Sequence, residues 1–276
     1  MIEVYRFPAN FFPLWHLGAR IALGPYRNFL RRAHRAGKER LLDIGAGGGW
    51  HSLVAALHGM RVTSCDISED SLRNIVSVAQ KMHVEERITT LAADCCALPV
   101  KNESQDIVIA SHIIEHLDHP GQLLREIHRV LRPNGVLFLS CPSESRYMRI
   151  SLWFGMKFDP PDHKVSGYGR EEIAAMLPDD MEIRRVFYQG RWIESNIMDL
   201  QALASILTGI RANPVNGTRP APSDTPLVRM ASVLKEFILL PLIAAGALEN
   251  KAGSIYRGSI LNCEIEKTEM CRDKLL

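Results

Sequence analysis

Leu41-Leu42-Asp43-Ile44-Gly45-Ala46-Gly47-Gly48-Gly49 decides how the rest of the chain is read. An apolar run that carries one carboxylate and then gives way to a loop almost free of side chains predicts a buried strand. Its exit turn lets a ligand come close to bare backbone. Such a turn suits a nucleotide-type ligand, and the flanking segments decide which one.

The predicted strand is the first of a series. Strand-like runs at 40–44, 61–65, 88–92, 106–110 and 136–140 alternate with helical segments, the pattern of a parallel sheet with helices on both faces. Leu72, Ile75, Val76 and Ala79 form one helical stripe, with Ser68 as N-cap and Glu69 and Asp70 in the first turn, where the helix dipole favours negative charge. Leu123, Leu124, Ile127, Val130 and Leu131 form another, stopped by Pro133 and the Asn134-Gly135 turn. Runs at 181–189 and 259–267 read as the last two strands.

The 276 residues are 46% hydrophobic and 23% charged, enough to bury a full core. A net charge of +2 is too mild for a polyanion binder, so no nucleic-acid partner is expected. Six cysteines, without a C-x-x-C pair, read as reduced thiols of a cytoplasmic protein. The apolar stretch at 7–23 lacks the leading basic residues of a secretory signal. With the arginines that follow, it reads either as an amphipathic lid or membrane-surface element, or as a helix packed on the core with a solvated basic face.

In an open parallel sheet, ligands sit beyond the carboxyl ends of the strands, near the switch in strand order. This sequence places a polar residue at each such end: Asp43, Asp66, Asp94, Ser111 with His112, and Cys141. One polar residue there is ordinary loop composition, whereas a set along one edge is a site. The spacing excludes a dinucleotide fingerprint, because the third glycine after Gly45 and Gly47 would fall at Trp50.

Asp43, Gly45, Gly47 and Gly49 in Asp-x-Gly-x-Gly-x-Gly spacing instead resemble the first motif of class I S-adenosylmethionine-dependent methyltransferases. The likeness extends through Val62-Thr63-Ser64-Cys65-Asp66-Ile67, Ala92-Ala93-Asp94-Cys95-Cys96, Glu115-His116-Leu117 and Arg132-Pro133-Asn134-Gly135, in the manner of the type 11 group near the ubiquinone and menaquinone methyltransferases. It implies S-adenosyl-L-methionine as cofactor. Asp43, Gly45, Ala46, Gly47 and Gly49 would lie along it, and Asp66 would take both ribose hydroxyls. Asp94 would meet the adenine amino group, Ile67 and Cys95 would flank the ring, and Ser111 would complete the set. The fold implied is a Rossmann-like α/β sheet of seven strands with a helical insertion between the last two. Its parts are an N-terminal lid at 1–39, the cofactor domain at 40–190 and 256–276, and a cap at 191–255.

His112-Ile113-Ile114-Glu115-His116 spells H-x-x-E-H, the inverted zinc-protease signature. Its place just past a parallel strand favours His112 as a pocket residue near the sulfonium, so no metal is expected. Beyond Pro142, His163 and Tyr168 are candidates, with His112, for orienting or deprotonating an acceptor, because relatives often carry such a residue between the fifth strand and the next helix. The apolar segment at 227–248 has a core, 237–248, too short and too interrupted by Pro241 and Gly246 to span a bilayer, and the segment is read as a cap, a membrane contact at the inner surface or a homodimer contact. The expected reaction is in-line methyl transfer to an apolar small molecule such as a lipid, quinone precursor or secondary metabolite. A nicotinamide oxidoreductase and a non-catalytic cofactor-binding protein are the alternatives.

Overall fold

The computed structural model describes residues 24–144, 162–189 and 260–269. The apolar stretch at 7–23, the aromatic loop before Asp162 and the insertion at 191–255 lie outside these residues, as does the expected cap.

Helix α1 (Gly24–Arg35) leads into β1 (Arg40–Ile44), α2 (Trp50–Leu57), β2 (Arg61–Asp66), α3 (Glu69–Lys81), β3 (Ile88–Ala92) and β4 (Gln105–Ser111). Then come α4 (Pro120–Val130), β5 (Leu131–Pro142), α5 (Arg170–Met176), β6 (Met181–Gln189) and β7 (Ile260–Lys267). The strands form one sheet in the order β3-β2-β1-β4-β5-β7-β6. β1 to β5 run parallel, whereas β7 is antiparallel to both β5 and β6. The chain leaves β1 toward β2 on one side and returns to β4 on the other, so the switch in strand order opens beside Asp43 and the glycines.

Alternation along the strands divides the core between the two faces. Leu42, Ile44, Val108, Ala110, Leu137 and Leu139 pack under α4 through Leu123, Leu124 and Ile127. Leu41, Ile107, Ile109 and Phe138 face the other way, toward α1 and α2. There Tyr26, Phe29, Leu30 and Ala33 of α1 are buried while Arg31 and Arg35 stay in solvent, so this helix rests on the core with a solvated basic face. Among the described residues no helix is long and apolar enough to cross a membrane.

Two sequence expectations are corrected. In α3 the buried stripe is Leu72, Ile75, Val78 and Ala79, while Val76 is exposed. At about 100° per residue, Val76 falls off one edge of the stripe and Val78 extends the other. Leu131 does not close α4 but begins β5, pairing with Gln105. The next pair is Ile107 with Val136, so residues 132–135 bulge out of the ladder, with Asn134 at φ 61°. The helix therefore stops at Val130, before Pro133 is reached.

At the far side, β6 spans the range expected, and its last residue, Gln189, pairs with Ile260, the first of β7. The residues between them leave and re-enter the sheet at one point. Lys267 of β7 is buried, its Nζ donating at 3.0 Å to the carbonyls of His128 and Leu131, which satisfies the C-terminal end of α4.

Candidate active site

Gly45 and Gly49 show why the loop after β1 tolerates no side chains. Gly45 has φ +65°, and a Cβ there would lie 2.5 Å from Cδ1 of Ile113, while at Gly49, with φ +75°, it would lie 2.5 Å from Cγ1 of Ile75. Gly49 stands directly before α2 and lets α3 close over the loop. The packing role assigned to a third glycine in dinucleotide sites is thus taken one position before Trp50.

The loop is tied to the second strand. Ala46 N–H donates to the Cys65 carbonyl at 3.0 Å, and Gly47 N–H donates to Oδ2 of Asp66 at 2.7 Å. Oδ1 of Asp66 accepts from Ser68 N–H at 2.8 Å. Each carboxylate oxygen keeps a further lone pair, so the group is fixed and still able to accept from a vicinal diol. Ile67, next in the chain, is 82% exposed, the barest large apolar side chain described. Asp94 closes the same edge, its Oδ1 accepting from Cys96 N–H at 2.8 Å. Cys95 and Cys96 are half-buried with their sulfurs 3.9 Å apart, and burial pushes the Cys95 thiol up to about 12, which keeps it protonated.

Beneath the loop Asp43 is buried. Its Oδ2 accepts from Ser52 Oγ at 2.6 Å, and Ser64 Oγ donates in turn to Ser52 Oγ at 2.6 Å. Burial raises the Asp43 carboxyl to about 7, the hydrogen bonds from Ser52 oppose that rise, and the nearby Asp66 charge adds to it. His51, edge-on to Tyr26 at 4.7 Å, is lowered to about 4 by burial and by neighbouring His112, so it is neutral at physiological pH. Neither serine was legible as part of the site, although a serine in the first turn of the helix after the glycines was the available signal.

Beyond β4, Ser111 pairs with Ser140 of β5. His112 has φ 52°, held there by its N–H donating to the Ser140 carbonyl at 2.8 Å. H-x-x-E-H does not form a helical face, because Ile114–His116 is a single 3₁₀ turn. His112 Nδ1 instead lies 3.1 Å from Oε1 of Glu115, whose side chain is fully buried and whose Oε2 has no partner among the described residues. His116 stacks edge-on to His163 with ring centroids 4.8 Å apart, and its Nδ1 is 3.2 Å from Oδ2 of Asp162. The segment 162–165 is bound to this turn, since Lys164 and Val165 N–H both donate to the Glu115 carbonyl. Tyr168 is turned into the core, its hydroxyl donating to the Ile114 carbonyl at 3.3 Å. The structure thus gathers His112 and His163 around Glu115 and gives Tyr168 a bracing position. Glu115, which sequence reasoning used only as part of a motif, proves to be the centre of this cluster. Donor atoms of Glu115, His116 and His163 lie within 4.8 Å of one another, as do those of Asp94, Cys95 and Cys96.

Comparison with known proteins agrees with this geometry. Residues 42–139 match the family described as methyltransferase domain. The ubiquinone biosynthesis O-methyltransferase of Parvibaculum lavamentivorans is 27% identical over 194 residues, covering 70% of each chain. The 27-O-demethylrifamycin SV methyltransferase of Amycolatopsis mediterranei is 37% identical over 114 residues, 40% of this chain and 42% of that one. Among solved structures, the Haemonchus contortus phosphoethanolamine N-methyltransferase 2 in complex with S-adenosyl-L-methionine has a TM-score of 0.51 at 17% identity, covering 84% of this chain and 49% of that one. The [4+2]-cyclase SpnF has a TM-score of 0.53 at 17% identity, covering 88% and 81%. Both structures share the fold. The match across 42–139, with the sheet order and the loop that carry it, supports a class I S-adenosylmethionine-dependent methyltransferase of the type 11 group.

Proposed function

We propose that the enzyme transfers the methyl group of S-adenosylmethionine to an oxygen of an apolar small molecule, such as a quinone precursor or secondary metabolite. The observation that carries the cofactor pose is the pairing of Asp66 with Ile67: a carboxylate fixed by two backbone donors beside a bare apolar side chain at the switch in strand order. The carboxylate suits ribose hydroxyls and Ile67 suits one face of adenine, with Cys95 and Asp94 on the neighbouring strand end. Gly45, Ala46, Gly47 and Gly49 run beneath the methionine part, with Asp43 below them and Ser111 at the edge of β4.

The sulfonium already activates the methyl, so the protein mainly aligns acceptor and donor and excludes water. His112 and His163, at the carboxyl edge of the sheet, are the side chains assigned to orienting the acceptor, with Tyr168 bracing the turn that carries them. The oxygen acceptor is supported by the names of two of the relatives, a ubiquinone biosynthesis O-methyltransferase and a 27-O-demethylrifamycin SV methyltransferase. Calorimetric titration with S-adenosylmethionine and with NADH, followed by transfer of radiolabelled methyl to a panel of phenols, hydroxyquinols and amines, tests the reading. Binding of NADH alone, or labelling of amines alone, would refute it.

A further inference from the structure

We propose that Glu115, His116 and His163 form a binding site for a divalent transition cation of the zinc type. The first ground is the carboxylate. Glu115 is fully buried, and Oε1 faces Nδ1 of His112 at 3.1 Å while Oε2 has no partner among the described residues. A buried carboxylate oxygen with nothing on it is costly, and a cation relieves that cost directly. The second ground is the donor set: one oxygen and two imidazoles within 4.8 Å of one another. Mixed imidazole and carboxylate donors suit zinc-like ions, whereas calcium and magnesium favour oxygen throughout.

The surroundings have the outer partners such a site needs. Nδ1 of His116 lies 3.3 Å from the carbonyl of Asp162 and 3.2 Å from its Oδ2, both acceptors, so Nδ1–H donates outward and the lone pair is left on Nε2. His112 plays the equivalent part for Glu115, holding Oε1 and leaving Oε2 for the ion. The two chain segments are fastened to each other by the bonds from Lys164 and Val165 N–H to the Glu115 carbonyl, so the third donor is held in place by backbone rather than by side-chain chance. Tetrahedral zinc, with bonds of about 2.1 Å, separates its donors by about 3.4 Å. The cluster reaches that spacing by side-chain rotation of about an ångström, and three protein ligands leave a fourth position open.

This arrangement is not the one that H-x-x-E-H suggests, because His112 supports the carboxylate instead of joining His116 around a metal. It also goes beyond the methyl-transfer reading and does not depend on it. The other donor group, Asp94 with Cys95 and Cys96, lacks a comparable orphan: Asp94 is exposed and already accepts from Cys96 N–H.

The test uses the full chain, treated with chelator and titrated calorimetrically with zinc chloride, and in parallel with cobalt(II), whose visible absorption reports its ligands. The expected result is stoichiometric binding without thiolate-to-cobalt charge transfer. Glu115→Gln, which preserves the buried shape, and His163→Ala should each weaken zinc binding by about 100-fold or more, and His112→Gln by about 10-fold. Cys96→Ser should leave zinc affinity unchanged. S-adenosylmethionine affinity on the same samples reports folding, and His163→Ala, in a loop, carries the test should the Glu115 variant fail that check. Absence of zinc binding by the wild type, wild-type affinity in His163→Ala, or a thiolate band lost in Cys96→Ser would each overturn the site.

Discussion

Gly47 and Asp66 are joined across the ends of β1 and β2 by a hydrogen bond from the Gly47 N–H to Oδ2 of Asp66, at 2.7 Å. The glycine loop is thus shaped around the carboxylate proposed to hold the ribose, before any ligand arrives. Asp66→Ala removes both the acceptor for the hydroxyls and the tether of the loop. Charge-assisted bonds contribute about 1.5–3 kcal/mol each, so loss of two predicts affinity for S-adenosylmethionine lower by about 100-fold or more. Calorimetry decides, and unchanged affinity would remove Asp66 from the site.

Gly49→Ala should destabilise the fold through two effects. Left-handed backbone costs about 1–2 kcal/mol for a residue with a Cβ, and overpacking against Ile75 adds about 1–3 kcal/mol. Ile75→Ala should relieve the second effect only. In urea unfolding the double variant is therefore expected to lose less stability than the two single variants together, by more than about 0.5 kcal/mol. Strict additivity would mean that helix α3 does not constrain the loop.

Asp43 gives stability a pH dependence whose sign is fixed by burial. Its folded carboxyl lies at about 7 against an ordinary 3.8, so between those values the folded state binds the extra proton. Stability contributed by this group is full below the lower value and falls as pH rises through the upper one, by at most about 4 kcal/mol. Asp43→Asn should abolish that component. Melting temperatures of wild type and variant, compared from acid to neutral pH, are expected to diverge in the variant's favour as pH rises. Parallel curves would show that Asp43 is ionised throughout.

Because Gln189 and Ile260 are paired neighbours, whatever lies between them closes a hairpin. Replacing 190–259 by an Asn-Gly turn should preserve the β6 and β7 pairing and leave cofactor affinity within a few-fold of wild type, with about 2–3 kcal/mol less loop-closure entropy to overcome. Methyl transfer to an apolar acceptor is expected to fall sharply if the removed segment is the acceptor's cap. Circular dichroism and calorimetry check the first expectation. A chain that no longer folds would assign the segment to the core.

The central strands β1 and β4 were legible because they are buried on both faces, so their apolar runs are nearly continuous and end abruptly at the glycine loop and at Ser111. Helix faces were legible to within one position: Val76 and Val78 are chemically identical, and only the angle of the finished stripe separates them. The first cofactor strands were readable because glycine and carboxylate act through backbone geometry, which short spacing encodes. The cluster around Glu115 was not. Its burial depends on Tyr168 and on residues 162–165, far away in sequence, and its 3₁₀ turn cancels the helical spacing by which H-x-x-E-H would be interpreted. Tyr168 itself looked like a pocket residue because no sequence pattern reveals that its hydroxyl meets the Ile114 carbonyl.

β7 is the last strand among the described residues, yet it lies inside the sheet, between β5 and β6. During synthesis, β6 leaves the ribosome long before it has a neighbour to pair with, and the free edge of β5 stays bare over the same interval. Unpaired edges of this kind invite pairing with other chains. The sheet becomes complete only when Ile260–Lys267 is threaded between the two, so the synthesis of this strand, not of the nucleotide-type half made before it, sets when those edges are covered.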